Sequence, residues 1–334
     1  MGRRAFKNPP GPAENRVEGH PIVETTMATR CALAAGKTAL AAVVVLAVGI
    51  PGVAADPGKT GLTFLKLDQG ARAAGMGGAF TSVANDASAT YWNPAGCAGG
   101  EGGEVLLSQA RWFQDISIEN IAVVQSTPDQ GFGLSFTALH TSEMELRDSD
   151  GAYLGHFRFF DFAVQGTYAR RLTQRLTGGL SAKALYEKID EETALGFAAD
   201  LGVVFHPPVK GLRIGACVQH LGTEMKFIDE SFDLPLTVRA GLAYRVHVPF
   251  VADDIIAAFD VQKPRSEDVK THAGVELGVG GRLALRFGYR SGYDNQNVSV
   301  GVGLPVDRYR FDYAYVPFYS DLGDTHRISF GIRL

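Results

Sequence analysis

The chain has 334 residues, with 40 Gly, 20 Phe and 11 Tyr against 5 Met and 3 Cys, and a formal net charge of −4. The excess of Gly and aromatics speaks against a helical protein and for many strands and turns. The charge balance excludes a basic nucleic-acid footprint, and three Cys are too few for a disulfide framework.

At the N-terminus, residues 1–26 carry Pro9, Pro10, Pro12, Pro21 and three Glu, a composition unlike a targeting segment. From Met27 onward, Arg30 and Lys37 precede the apolar run ALAAVVVLAVGI of residues 39–50, and Val53-Ala54-Ala55 follows as a small-x-small site. Charged region, short apolar region and processing site in that order predict a signal peptide. A run of 12 falls short of the roughly 20 apolar residues that a spanning helix needs. Residues 1–55 are therefore read as a signal peptide, with 1–26 a start-site artefact and cleavage between Ala55 and Asp56. Cleavage there removes six Lys/Arg and three Asp/Glu and leaves a net charge of −7. Cys31 departs with it. Cys97 and Cys217 remain as a candidate disulfide, since an exported compartment permits one.

Residues 56–103 follow, with no alternating strand. Their centre, GARAAGMGGAFTSVANDASATYWNPAG (70–96), is small, soft and nearly uncharged. Such a segment is too poor in large apolar residues to be a domain. Tethered to the first strand of a barrel, it can pack inside the lumen as a hatch, with glycines allowing positive φ and close approach to the wall.

From residue 104 the pattern has period two almost everywhere. RLALRFGYR (282–290) sets Leu283, Leu285, Phe287 and Tyr289 against Arg282, Ala284, Arg286, Gly288 and Arg290. RYRFDYAY (308–315) sets Tyr309, Phe311, Tyr313 and Tyr315 against Arg308, Arg310, Asp312 and Ala314. The same reading along the chain predicts about fourteen strands, near 104–110, 116–125, 131–140, 158–170, 176–187, 195–206, 211–221, 235–247, 253–262, 271–280, 282–291, 297–305, 307–318 and 325–334. Many are as long as a tilted membrane strand of about 9–11 residues. The polar segment 141–157 reads as an external loop. An aromatic face opposite a face of charges and small residues is the outside-apolar, inside-polar pattern of an outer-membrane barrel facing lipid. HRISFGIRL, alternating to the last residue, resembles the terminal strand of such barrels. The runner-up is a secreted β-sandwich, whose aromatic face would be its core.

By alternation the lumen receives Asp161, Lys183, Asp200, Arg213, Arg239, Arg245, Asp260, Glu276, Arg286, Arg290, Arg308, Arg310 and Asp312. Arg239, Asp260, Glu276 and Arg286 fall on four consecutive strands and predict a salt-bridged ladder bracing wall and hatch, since buried charges are normally paired. The alternative is that surplus arginines bind an anionic head group such as a fatty-acid carboxylate. Cys217 should point inward beside Arg213 and Gln219.

Asp86-Ala87-Ser88-Ala89 and Asn93-Pro94-Ala95-Gly96, after the glycines Gly75, Gly77 and Gly78, resemble the N-terminal signature of the PorV/PorQ family, outer-membrane barrels similar to the FadL fatty-acid transporters. The resemblance covers about 35 residues. It implies a barrel of about fourteen strands with an N-terminal hatch. On the PorV side it implies a part in type IX-like secretion or cargo handling, with secretion machinery and cargo proteins as partners. On the FadL side it implies transport of a hydrophobic small molecule.

Other chemistry finds no support in the residues. GKT at 36–38 lies in the signal peptide and lacks the first Gly of a phosphate loop, and GMGGAF at 75–80 lacks the spacing and the preceding strand of a dinucleotide site. The eight His show no ligand spacing for a metal, and no GxSxG elbow occurs. The expectation is a non-enzymatic outer-membrane barrel without cofactor or metal, serving secretion first and hydrophobic-solute transport as the alternative.

Overall fold

The computed structural model describes residue 2 and residues 60–334, except 113–115, 191, 228–229, 249–251 and 320–322. The signal peptide and the Ala55–Asp56 junction lie outside the described residues.

Eighteen strands follow one another among the described residues. They are β1 (Gly102–Arg111), β2 (Ser117–Ser126), β3 (Gln130–His140), β4 (Met144–Arg147), β5 (Tyr153–Phe157), β6 (Phe159–Arg171), β7 (Leu176–Ile189), β8 (Glu192–Phe205) and β9 (Leu212–Gly222). Then come β10 (Met225–Phe227), β11 (Glu230–Phe232), β12 (Thr237–Val248), β13 (Ala252–Pro264), β14 (Lys270–Val279), β15 (Leu283–Ser291), β16 (Val298–Val306), β17 (Tyr309–Pro317) and β18 (Asp324–Arg333). Fourteen close into one antiparallel barrel, ordered β1-β18-β17-β16-β15-β14-β13-β12-β9-β8-β7-β6-β3-β2. The remaining four form two hairpins, β4–β5 and β10–β11, which interrupt the longer connections at one rim. Closure joins the two ends of the wall, with Glu104 opposite Arg333 and Arg111 opposite His326.

Connections at the rim where the chain enters β1 and leaves β18 are short turns. Those at the other rim include the longest and carry both hairpins, although β7 and β8 are joined there by a tight turn. These are called the turn end and the loop end. In outer-membrane barrels short turns face the periplasm and longer loops the exterior.

The period-two pattern sorts the side chains as the sequence predicts. Phe287, Tyr289, Phe311 and Tyr313 face outward, while Arg286, Arg290 and Asp312 are buried inside. Aromatic pairs knit the outer surface across strands, as Phe132–Tyr168 at 5.0 Å and Phe311–Phe330 at 4.6 Å between ring centroids. A soluble sandwich would bury that face. Here the charged face is the interior of a closed wall.

The wall pairing shifts register at two places, between Val246 and Val248 of β12 against β13 and towards the loop end of β9. Between Ala199–Leu221 and Leu201–Val218 the register shifts by one residue. The extra residue turns Gln219 and His220 inward together, and His220 adopts φ 60°, the left-handed conformation of a β-bulge. Beyond Gln219, which is opposite Thr237, β9 leaves β12, and Leu221 and Gly222 pair with β8 alone.

Inside the wall lie residues 60–101. They contain two short helices, α1 (Ala71–Gly75) and α2 (Ala89–Trp92), and 3-10 turns at Thr63–Lys66 and Pro94–Cys97. Each alone is too short to hold a helix in water. Their stability comes from enclosure: α1 packs on β15 to β18, and the Pro94–Cys97 turn on β2, β3 and β6 to β8. Phe80 and Trp92 stack edge-on at 5.7 Å at the centre of the packed hatch.

Candidate functional site

The hatch seats on the wall backbone to backbone. Gly75 lies so near the Cα of Gly301 that a Cβ would come within 3.0 Å of it. Gly77 and Gly78 end α1 in a Schellman turn, with Gly78 N–H donating to Ala73 O at 2.9 Å and Gly77 N–H to Ala74 O at 3.0 Å. Their φ values of 65° and 76° suit glycine. The carbonyl of Gly77 meets the His272 Nδ1 at 2.7 Å.

The two signature elements explain themselves in the same way. Asp86 accepts from Ser88 N–H at 3.0 Å, closing its own turn, and Ala87 and Ala89 fill sites without room for more. Asn93 accepts from Ala95 N–H at 3.2 Å and donates to Thr81 O at 2.9 Å and to Val203 O of β8 at 3.1 Å. Pro94 starts the 3-10 turn, Gly96 passes against Ala84 O, and the wall offers Gly179 and Gly202 where Pro94 and Asn93 press outward.

Inward side chains then satisfy the hatch backbone. Asp260 accepts from Phe80 N–H at 2.9 Å and Thr81 N–H at 2.8 Å, and Ser329 from Ala71 N–H at 2.8 Å. Arg327 donates to Asp68 O at 2.6 Å, and Gln165 and Gln219 donate to Thr90 O and Tyr91 O.

Towards the turn end, a closed ring of ion pairs joins hatch and wall. Asp86 meets Arg72 at 3.1 Å, Arg72 meets Glu276 at 2.7 Å, and Glu276 meets Arg286 at 2.6 Å. Arg286 continues to Asp312 at 2.8 Å, Asp312 to Arg310 at 2.8 Å, and Arg310 returns to Asp86 at 3.1 Å. Arg310 also reaches Glu104 at 3.2 Å. Burial would raise the Asp86 carboxyl, but Arg310 and Arg72 overcome this and hold it down at about 2.

Of the residues expected in the lumen network, Glu276, Arg286, Arg310 and Asp312 come together in this ring. The ladder across Arg239, Asp260, Glu276 and Arg286 needs correction. Glu276 stands directly opposite Arg286, but Arg239 is opposite Gln262, and Asp260 is opposite Gly241. Each of the latter two turns to the hatch instead. The Arg239 guanidinium lies 4.8 Å over the Trp92 ring, with Nε and Nη1 making no hydrogen bond. Arg290 pairs with Asp68 of the hatch. Of the other inward charges, Lys183 meets Asp200 at 2.7 Å and His220 at 3.0 Å, and Asp161 faces Glu187 across β6 and β7. Arg308 lies in a turn over the Tyr309 ring, exposed and outside the lumen row.

The candidate disulfide is also corrected. Cys97 and Cys217 are both free and buried. Cys217 on β9 donates from Sγ to Trp92 O at 3.4 Å, whereas Cys97 sits against Gly131 of β3, with β6, β7 and β8 between those strands.

What the sequence reading missed is the loop-end half of the lumen. Leu62, Phe64 and Leu65 of the hatch pack there with inward Ala110, Ile118, Leu139, Ala163, Leu185, Ala194 and Ala198. Met225 and Leu234, from the β9–β12 connection, roof the cluster, and Met225 lies over Gly196. The signal was present as strands apolar on both faces, such as Ala184-Leu185-Tyr186. Outward aromatics drew the eye past it.

The comparisons agree with this architecture. The family described as "Uncharacterised protein family (UPF0164)" matches residues 38–153, which span the hatch and the first strands. Two UPF0164 proteins of Treponema pallidum (strain Nichols) are 34% identical over 126 residues and 32% identical over 121 residues. These alignments cover 37% and 35% of this chain but 29% and 28% of the relatives, so the chain matches less than a third of their length. Among solved structures, the CymD monoaromatic hydrocarbon channel superposes with a TM-score of 0.60 at 13% identity, covering 82% of this chain and 99% of CymD. The Pseudomonas putida toluene transporter TodX gives a TM-score of 0.56 at 13% identity, over 79% and 96% of the two chains. The fold is thus one that this chain shares with CymD and TodX. The family match does not by itself extend the resemblance to PorV/PorQ.

Proposed function

We propose that this chain resides in the bacterial outer membrane as a non-enzymatic passage for small hydrophobic solutes. The observation that carries this reading is the apolar compartment in the loop-end half of the lumen. A water-filled channel keeps a polar interior. Here Phe64 and Leu65 of the hatch fill the lumen against Ile118, Leu139, Leu185 and Met225, an apolar packing in which a hydrophobic guest replaces hydrocarbon at less cost than water does. The cluster borders the place where β9 leaves β12, the point at which the proposed passage would leave the lumen sideways. CymD, a monoaromatic hydrocarbon channel, and TodX, a toluene transporter, support the same class of solute.

The test is uptake of radiolabelled toluene by cells whose own hydrocarbon channels are deleted. Expression of this barrel should raise uptake severalfold, and Leu65→Asp should return it towards the empty-vector rate. Folded barrel in the outer membrane with uptake no higher than the vector control would overturn the reading.

Secretion is the second reading. It rests on the Asp86–Ala89 and Asn93–Gly96 elements, which the FadL type shares, so that motif does not favour it. Co-purification with cargo bearing a sorting domain would bring it forward.

A further inference from the structure

At the turn end, hatch and wall enclose a cavity of about 930 Å³. Its two sides differ in charge. On one side Glu104, Glu276 and Asp86 are all engaged in the ring with Arg72, Arg286 and Arg310. On the other, the ends of β6, β8, β9 and β12 bring Arg171, His206, Arg213 and Arg245 to the same cavity. Arg171 pairs with Asp129 outside the cavity at 3.6 Å, and Arg245 with Asp254, which also lines it, at 3.3 Å.

Arg213 has no acid partner among the described residues. Its Nη2 reaches only Ala84 O, at 3.5 Å, and its Nε makes no hydrogen bond. Arg245 stands two residues beyond Ala243, the register partner of Arg213, so a second guanidinium adjoins the first. Burial, with Arg213 and Arg171 nearby, pushes His206 below its ordinary value, leaving a neutral ring able to donate or accept. A guanidinium withdrawn from water without a counter-charge is costly, and its planar fork matches carboxylate and phosphate oxygens in pairs.

We propose that this corner is a binding site for an oxyanion, the carboxylate or phosphate end of a small soluble molecule entering from the turn end. Arg213 is its two-pronged anchor, with Arg245 supporting the charge and His206 supplying a further hydrogen bond. In the ring opposite every arginine is already paired with acids, and Arg333 stands beyond it across from Glu104, so Arg213 is the buried cation of the cavity without an acid partner among the described residues. The cavity is large enough for a ligand of drug size. The site lies across the hatch from the apolar compartment, and its test stands whether or not solute passage is upheld.

The experiment is calorimetric titration of the refolded barrel in detergent at low ionic strength, with citrate and inorganic phosphate as probes. At least one should bind the wild type saturably, and the stronger of the two identifies the ligand as carboxylate or phosphate. Arg213→Gln should weaken that binding at least tenfold, Arg213→Lys less, and Arg147→Gln on the distant β4–β5 hairpin should leave it unchanged. A measurement free of any variant accompanies this: the bound probe should protect Arg213 from phenylglyoxal, read by peptide mass spectrometry. Saturable binding of neither probe, equal affinity in Arg213→Gln, equal loss in Arg147→Gln, or no protection of Arg213 would each overturn the proposal.

Discussion

The two halves of the lumen hold the hatch by different physics. Near the turn end the contacts are directional: six charged groups closed into a ring, each within 3.1 Å of the next. Near the loop end, Leu62, Phe64 and Leu65 lie in a cluster with no preferred geometry, flanked by the separate ion pairs Arg290–Asp68 and Lys66–Glu267. Ion pairs in a dry interior fail abruptly when one member is lost, whereas an apolar contact can be exchanged for another apolar group. The closed ring makes the turn-end half the stiffer seat of the hatch, and the proposed solute passage places exchange in the half where apolar contact predominates.

The largest effect should come from opening the ring. Arg286→Met removes the shared partner of Glu276 and Asp312 and leaves both buried, so refolding in lipid should show a loss of about 3–5 kcal/mol. A loss below that of an ordinary surface substitution would break the comparison, because the charges would then be contributing little to anchoring.

The next effect separates wall from lumen. Phe287→Arg places a charge against lipid at an outward position that is 54% exposed, and should cost about 2–4 kcal/mol. Ala284→Arg, at the cavity wall of the turn-end half, should cost less. Equal losses in the same refolding assay would undo the assignment of faces.

A smaller effect sharpens the comparison through pH. The folded Asp86 carboxyl titrates at about 2 rather than the ordinary 3.8, so its contribution is complete above about pH 4 and lost as pH falls through 2. The depression corresponds to about 2 kcal/mol. The buried thiols Cys97 and Cys217 report it: dithiodipyridine should react slowly at pH 5 and faster as pH falls towards 2. A rate that stays flat over that range would show that the ring does not govern seating of the hatch.

Strand number and facing were legible because alternation is a local signal, read within a few residues. Each of the fourteen expected strands has a counterpart in the wall, and Arg286, Arg290 and Asp312 point inward as alternation requires. Pairing was less legible. Glu276 and Arg286 meet because they stand directly opposite, but Arg72 reaches Glu276 and Arg310 reaches Asp86 across more than 200 positions of sequence. No local pattern encodes such a meeting. The β9 bulge escaped for a related reason, since one added residue at Gln219–His220 leaves the hydrophobic rhythm on either side intact.

The close seating of the hatch also bears on how the molecule is made. Gly75 against Gly301, Gly77 against Gly288 and Asn93 against Gly202 leave no side-chain width between plug and wall. The plug runs almost directly into β1, and β1 is one lip of the final seam with β18. A plug so fitted is more readily enclosed than threaded. Closure around residues already gathered at the seam makes the hatch a mandrel on which the cylinder is wound, and places its folding before the last strand pair is joined.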